Sequence, residues 1–379
     1  MTLPDRTAPR IVFGVCPRSS RAARRWPRWG RWPRWGLVAF TLFAIESCQA
    51  SASSPPEALP AAPRDAAAGP CLAQTHPILA HRINAPRSEL VVLDPTGSQA
   101  VALGRGNYVY GSAWSPDGRS IAFRRHGVSE FSSPVPTDLG LLSPDVAGEE
   151  VVLLVDSEPR YDGISRRGPD GPTWSPDGRE LAFASQRDAD HYRIWVIARS
   201  GGQVRLLLPE LSVPHYYPRW SPRDRARLVY VAEDGGQPDL WLVDLDSGEH
   251  QRLTSGEMQK VESPRWSPDG ERLAFAALPR ERPPEQEDDY DTYVLELASS
   301  DQQRIPTEGS AVDPTWAPDG ASLVLSSTRE SEVGGPLRAL NLWQVWLDGS
   351  RVPEQLTRGG SSNMGADWYA ASDCDSSGR

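Results

Sequence analysis

Short apolar runs alternate with clusters of Gly, Pro, Asp and Ser through most of the chain, without the period of three to four that marks a helix face. The pattern predicts strands joined by tight turns. In "PRWSPDGERLAF", residues 264–275, Ser267 suits the first position of a turn and Pro268 the second, its φ already near −65°. Gly270 can take the left-handed conformation that closes a hairpin with a bulge. Leu273 and Phe275 then offer apolar side chains on the second strand, and Trp266 can cover a large area from the first.

This unit recurs. "SAWSPDGRSIAF" carries Trp114, "PTWSPDGRELAF" Trp174, "PRWSPRDRARLVY" Trp220 and "PTWAPDGASLVL" Trp316, with a degraded copy, "GADWYAAS", at Trp368. Asp224 replaces the Gly in the Trp220 copy and Leu228 comes one residue later, which predicts a longer turn. The tryptophans lie 60, 46, 46, 50 and 52 residues apart, a period that belongs to propellers and solenoids. Between them recurs a second two-strand unit, as in "DLWLVDLDSGEHQRLTSG". One period is therefore four strands, A and B from the Trp unit, C and D from its follower, which is a propeller blade.

The count at the ends specifies a closure. "PILAHRI", "ELVVLD" and "QAVAL" precede Trp114 and read as B, C and D without an A, whereas the Trp368 copy is an A strand with almost no B. Joining them completes a sixth blade and pairs both free edges. The expected fold is all-β: a six-bladed β-propeller of four-stranded antiparallel blades with a one-plus-three terminal closure. Residues 77–372 with this repeat resemble the TolB-type propeller family. The resemblance implies docking of a periplasmic partner at the channel mouth. The chain departs from TolB in having only a tether before its first strand, where TolB carries a sizeable α/β domain, and its repeat also occurs in prolyl-oligopeptidase-like peptidases and some sugar-active lyases.

The N-terminus changes the picture. Nine arginines precede a short apolar run at 36–45, too short to span a bilayer comfortably and fitting an export signal. Its end, "IESC", followed by a Pro/Ala/Ser stretch, resembles a bacterial lipoprotein signal with Cys48 as the lipidated residue. Ser47 fits that pattern and the acidic Glu46 departs from it; an ordinary cleaved signal and an uncleaved anchor stay open. "RRWPRW" at 24–29 reads as part of the signal, with twin-arginine export a minor option. The division expected is 1–47 export signal, 48–74 flexible tether, 75–374 propeller and 375–379 tail. Nine arginines against Asp5 and Glu46 give residues 1–47 a charge of +7, so the rest carries −17 of a chain whose total is −10. Such acidity argues against nucleic acid as a partner. Cys71 and Cys374 flank the missing A–B hairpin of blade six. A disulfide there would staple the seam by roughly 5–6 kcal/mol on a chain-entropy view; two free thiols are the alternative.

Function is expected on the face that carries the long loops, at 126–137, 158–171, 278–290 and 328–337. Residues four before each Trp should line the channel mouth there: Tyr110, Asp170, Tyr216, Glu262, Val312 and Met364, with His215, Tyr217 and Asp313 beside them. Aromatics, acids and Met suit a partner surface, although any of them can equally pack between blades. Enzymatic signatures are poor: no Gly-x-Ser-x-Gly, no His-Glu-x-x-His, no Cys-x-x-Cys, and no room for a hydrolase domain after Trp368. "EQEDDYD" at 285–291 lacks the ordered spacing of a calcium loop and reads as a solvated acidic loop. The expectation is a monomeric, non-catalytic, cofactor-free propeller of a bacterial cell envelope, lipid-anchored and binding an envelope protein or peptide. The alternative is a metal-dependent polysaccharide lyase, for which His191 and His215 could meet at the channel mouth, or another carbohydrate-active propeller enzyme.

Overall fold

The structure, a computed structural model, describes residues 72–84, 87–106, 109–126, 137–144, 150–156, 171–281, 289–329, 339–358 and 361–369. They form six four-stranded antiparallel sheets, each ordered A-B-C-D, after one short helix at Leu72–Thr75. Blade 1 is Val109–Trp114, Ile121–His126, Thr137–Leu142 and Glu150–Asp156. Blade 2 is Thr173–Trp174, Glu180–Ser185, Arg193–Ala198 and Arg205–Leu206. Blade 3 is His215–Trp220, Arg227–Asp234, Gln237–Asp244 and Glu249–Arg252. Blade 4 is Met258–Trp266, Arg272–Pro279, Asp291–Glu296 and Gln302–Ile305. Blade 5 is Ala311–Trp316, Ser322–Ser327, Asn341–Trp346 and Glu354–Gln355. Blade 6 joins Ser362–Trp368 to Ile78–Asn84, Arg87–Leu93 and Ala100–Gly106, with Ile78 opposite Trp368. The one-plus-three closure is therefore as the repeat count requires.

The turn chemistry accounts for the hairpins. In blades 1, 2 and 4 the turn Ser hydroxyl donates to the Asp two residues on, at 2.5–2.6 Å, and accepts the amide five residues on. Gly118, Gly178 and Gly270 hold φ of +66°, +67° and +76° there, which an L side chain resists. In the Trp220 copy the Ser221 amide reaches Arg227 O, one residue further than in its siblings, so the turn is longer as its sequence predicts.

The core is distributed between blades. Trp266 packs with Tyr217, Val229 and Val231 of blade 3, Trp316 with Ala274 and Val294 of blade 4, and Trp114 with Leu79 and Leu90 of blade 6. Burying a ring of this size is worth roughly 4–6 kcal/mol before entropy. Four of the repeat indoles also bridge to the previous blade. Trp174 donates to Ala113 O, Trp266 to Arg219 O, Trp316 to Arg265 O and Trp114 to Pro77 O, at 2.9–3.2 Å. Trp220 alone among these five donates within its own hairpin, to Arg225 O at 3.0 Å. The longer turn brings that carbonyl to the indole N–H.

Candidate functional site

The innermost strands share a defect that positions the channel side chains. Three residues before the Trp, the backbone turns left-handed in five blades: Gly111 (φ +53°), Tyr217 (+54°), Ser263 (+51°), Asp313 (+50°) and Gly365 (+63°). The ladder slips at the same points, so that Tyr217 and Pro218 together face the single Tyr230, and blades 4 and 5 repeat this. This is a β-bulge. Proline follows in blades 3, 4 and 5 (Pro218, Pro264, Pro314), at a position off the ladder where a missing N–H leaves nothing unsatisfied. In blade 2 the equivalent Gly171 lies against Gly111, and a Cβ on it would sit 2.2 Å from the Gly111 carbonyl carbon.

The bulges divide the channel wall in two. Blades 6, 1 and 2 present glycine, and blades 3, 4 and 5 present Tyr, Ser and Asp in a conformation costing about 1–3 kcal/mol for a residue with a side chain. On the second half the groups interlock. Ser263 Oγ donates to Asp313 Oδ1 at 2.8 Å. The Tyr216 hydroxyl donates to Glu233 Oε1 at 2.5 Å, and that of Tyr290 to Glu262 Oε1 at 2.8 Å. The rings of Tyr216 and Tyr217 meet edge to face at 5.1 Å, and Tyr192 approaches Tyr216 at 6.4 Å. Burial, then the Glu233 carboxylate, pushes the Tyr216 phenol far up, so it stays a neutral donor.

One residue before each Trp lies a second layer. Thr173 and Thr315 accept the backbone N–H of the following blade's Trp at 3.3 Å, and Asp367 accepts that of Trp114 at 2.7 Å. Blades 3 and 4 place Arg219 and Arg265 here instead. Arg219 Nη1 donates to Gly171 O and Pro218 O, and Arg265 Nη1 to Pro264 O. Burial depresses both guanidinium pKa values, and Asp367 and Asp313 oppose it. Burial raises the Asp367 carboxyl against the pull of Arg265, the Trp114 N–H and Arg219. Blade 6 stands opposite blade 3 in a ring of six, so Arg219 and Asp367 feel each other across the channel. His81 of blade 6 completes the network: Nε2 lies 2.8 Å from Ser112 Oγ, and burial lowers its pKa to about 4 although Asp313 pulls upward.

Of the residues expected at the mouth, Tyr216, Glu262, Asp313 and Met364 are half-buried and gather across blades 3 to 6. Met364 packs against the buried cluster of Ala276, Val312 and Leu340, as does Tyr290. Tyr217 is 5% exposed and His215 fully buried, so both support the surface from beneath. His215 Nδ1 donates to Val213 O at 2.7 Å, and burial brings its pKa to about 4. Tyr110 contributes a backbone pair with Arg124. Asp170, Cys48, Cys71 and Cys374 lie outside the described residues, as do most of the long loops. Among the described residues no three His, Cys, Asp or Glu are grouped to hold a metal ion. Sequence reasoning missed Glu233, Tyr290, Arg219, Arg265 and Asp367. The last three share one offset from the repeat Trp, and reading that column would have found them.

A family model described as the TolB beta propeller domain matches residues 164–277 and 207–374, more than half of the chain together. The uncharacterized peptidase YuxL of Bacillus subtilis is 28% identical over 218 residues, 56% of this chain and 28% of its own length. The uncharacterized protein Atu1656 of Agrobacterium fabrum is 26% identical over 52% of this chain and 64% of its own. Dipeptidyl-peptidase 5 of Porphyromonas gingivalis is 24% identical over 49% and 20%. The chain thus spans less than two thirds of each of these relatives. Among solved structures, TolB from Acinetobacter baumannii aligns with a TM-score of 0.60 at 19% identity, covering 78% of this chain and 67% of that one. A chain of a nidogen/laminin complex aligns at 0.53 and 13%, covering 76% and 97%. These likenesses concern the fold.

Proposed function

Because the chain belongs to the TolB beta propeller domain family, we propose that it is a non-catalytic propeller of a bacterial cell envelope that captures a protein or peptide at its channel mouth. The observation that carries this reading is the asymmetry of the channel wall. Three consecutive blades hold Tyr217, Ser263 and Asp313 in left-handed backbone where glycine serves the other half; Asp313 joins Tyr216, Glu262 and Met364 in a half-buried group, and Tyr217 and Ser263 are buried beside it. Strain of this kind persists where a site needs the side chain. Tyrosine and methionine beside paired carboxylates suit a peptide surface.

In this reading residues 1–47 direct export, Cys48 carries lipid, 48–74 tether the propeller to the membrane, Cys71 and Cys374 close the seam as a disulfide, and the protein acts as a monomer. The test is cross-linked capture from envelope extracts with wild type, Glu262→Ala and Tyr216→Ala. The wild type retains a partner that both variants lose at unchanged melting temperature. Equal capture by all three, or none by the wild type, overturns the reading.

A further inference from the structure

A cavity at the closing seam deepens that reading and rests on it. Its volume is about 380 Å³, and both ends of the chain line it: Arg82 and Glu89 from one, Thr357, Arg358 and Asn363 from the other. Arg82 and Glu89 flank the B–C turn of blade 6, and Arg358 stands in the connection from blade 5 to blade 6, so the cavity lies on the face of the long loops. It adjoins the mouth. Arg82 pairs with Asn363, and one step along the same two strands His81 pairs with Met364.

The repeat does not call for either arginine. Counting four residues on from the partner of each repeat Trp, blades 2 to 5 carry Ser185, Ala232, Ala277 and Ser327 where blade 6 carries Arg82. Blade 1 shares the arginine, as Arg125. Arg358 follows Leu356-Thr357, where blade 3 follows Leu253-Thr254 with Ser255. Two cations thus meet at one seam of a chain whose total charge is −10.

Hydrogen-bonding capacity then decides the ligand class. Asn363 is 2% exposed and spends both ends of its amide, Oδ1 on Arg82 Nε at 3.3 Å and Nδ2 on Ser361 O at 3.2 Å. Thr357 Oγ1 accepts the Leu342 N–H and donates to Asn341 Oδ1. Glu89 stands in register with Arg82 on one side and Arg105 on the other. The Asn363 contact is the one side-chain hydrogen bond of Arg82 among the described residues; Arg358 has none, and no ion pair engages either. What stays open is therefore guanidinium N–H. A sugar needs acceptors for its hydroxyls as well, whereas an oxyanion needs only donors, and a guanidinium fork matches a carboxylate in geometry and charge. Arg358 also lines a second cavity of about 440 Å³ beside Trp343, whose buried indole N–H is another donor without an acceptor among the described residues.

We infer that Arg82 and Arg358 form an oxyanion site at the seam, which takes an Asp or Glu side chain of the peptide captured at the mouth. Asn363 holds Arg82 in place, and exposed Arg358 closes on the carboxylate from the other side. The ligand bridges segments from the two ends of the chain, so it binds the closed ring alone and raises its melting temperature.

The probes are N-acetyl-Ala-Glu-Glu-Ala amide, its Gln-Gln counterpart and inorganic phosphate, each titrated calorimetrically into the full-length protein at physiological ionic strength, where distant carboxylates are screened. The Glu peptide binds saturably and the Gln peptide does not. Arg358→Gln weakens that binding by about fivefold or more, and Arg358→Lys recovers part of it. Arg358 is exposed and bonded to no side chain, so the variant keeps the melting temperature of the free protein. The inference is overturned if the Glu peptide does not bind, if the Gln peptide binds as well, or if Arg358→Gln leaves affinity unchanged. Phosphate that binds where the Glu peptide does not overturns the peptide as occupant and assigns a free anion. Partner capture that Tyr216→Ala abolishes and Arg358→Gln leaves intact keeps the proposed function and removes this site from it.

Discussion

The two halves of the channel wall solve one backbone problem differently. Blades 6, 1 and 2 fill the bulge position with Gly365, Gly111 and Gly171, which adopt the conformation or the close approach at no steric cost. Blades 3, 4 and 5 fill it with Tyr217, Ser263 and Asp313 and accept the strain. In the first half the position is used for packing, with Gly171 pressed on the Gly111 backbone. In the second it carries chemistry, with Ser263 tied to Asp313 and Tyr217 against Tyr216. A repeat protein can thus hold its blade geometry constant and concentrate side-chain function in consecutive copies.

Substitutions that exchange the two solutions test this contrast. The largest effect is expected from Gly171→Ala, whose new methyl meets Gly111 backbone atoms at 2.2–2.5 Å. Backbone cannot swing aside as a long side chain can, so the variant should lose at least about 3 kcal/mol in denaturant unfolding. Unchanged stability would show that the two glycines are not in contact.

Next comes pH, because His81 reaches from the glycine half towards Asp313. His81 and His215 are neutral in the fold, with pKa values of about 4 against 6.5 for an unhindered imidazole. Between those values the unfolded chain holds a proton that the folded one does not, so stability rises with pH through this window. Acidification from pH 6.5 to 4 should therefore cost up to about 3 kcal/mol per histidine. His81→Gln should flatten that slope, and a slope unaltered by the substitution would remove His81 from the account. Loss of the hydrogen-bonded turn carboxylates Asp117, Asp177 and Asp269, whose pKa values are lowered, belongs to a separate window below about pH 4.

The smallest effect has the opposite sign. Ser263→Gly loses one hydroxyl contact with Asp313 and releases the strain at φ +51°, for a net change between zero and about 1 kcal/mol of stabilisation. A clear drop in melting temperature would mean that Ser263 is retained for packing and not for its site.

The sequence made the blades readable because Trp and the Ser-Pro-Asp-Gly turn act locally: the turn determines the hairpin and the ring determines which face is buried. The closure was readable for the same reason, since an A strand at one end and B, C and D at the other have no other partners. The bulge was harder to read. Its residue varies between Gly, Tyr, Ser and Asp, and only the Pro that follows in three of the five bulged blades hints at a position outside the ladder. Aligned on the tryptophans, the residues expected at the mouth share one column of the repeat, but their burial was not legible there. His215 and Tyr217 are covered by their own strand's neighbours, which a one-dimensional offset cannot show. Arg219 and Arg265 each stand one residue before a core Trp, and nothing in the linear sequence shows that the ring couples them to Asp367. Trp220 taught the same lesson in reverse: one inserted residue was visible, but the indole's change of partner needed three dimensions.

The pairing of Ser362–Trp368 with Ile78–Asn84 joins segments nearly three hundred positions apart, and it has a temporal consequence. Until the last of these residues leaves the ribosome, Ile78–Asn84 waits as a bare edge able to hydrogen-bond any passing strand. Assembly of this wheel is thus a late, all-at-once event, and its waiting time is the interval in which a chaperone has most to do.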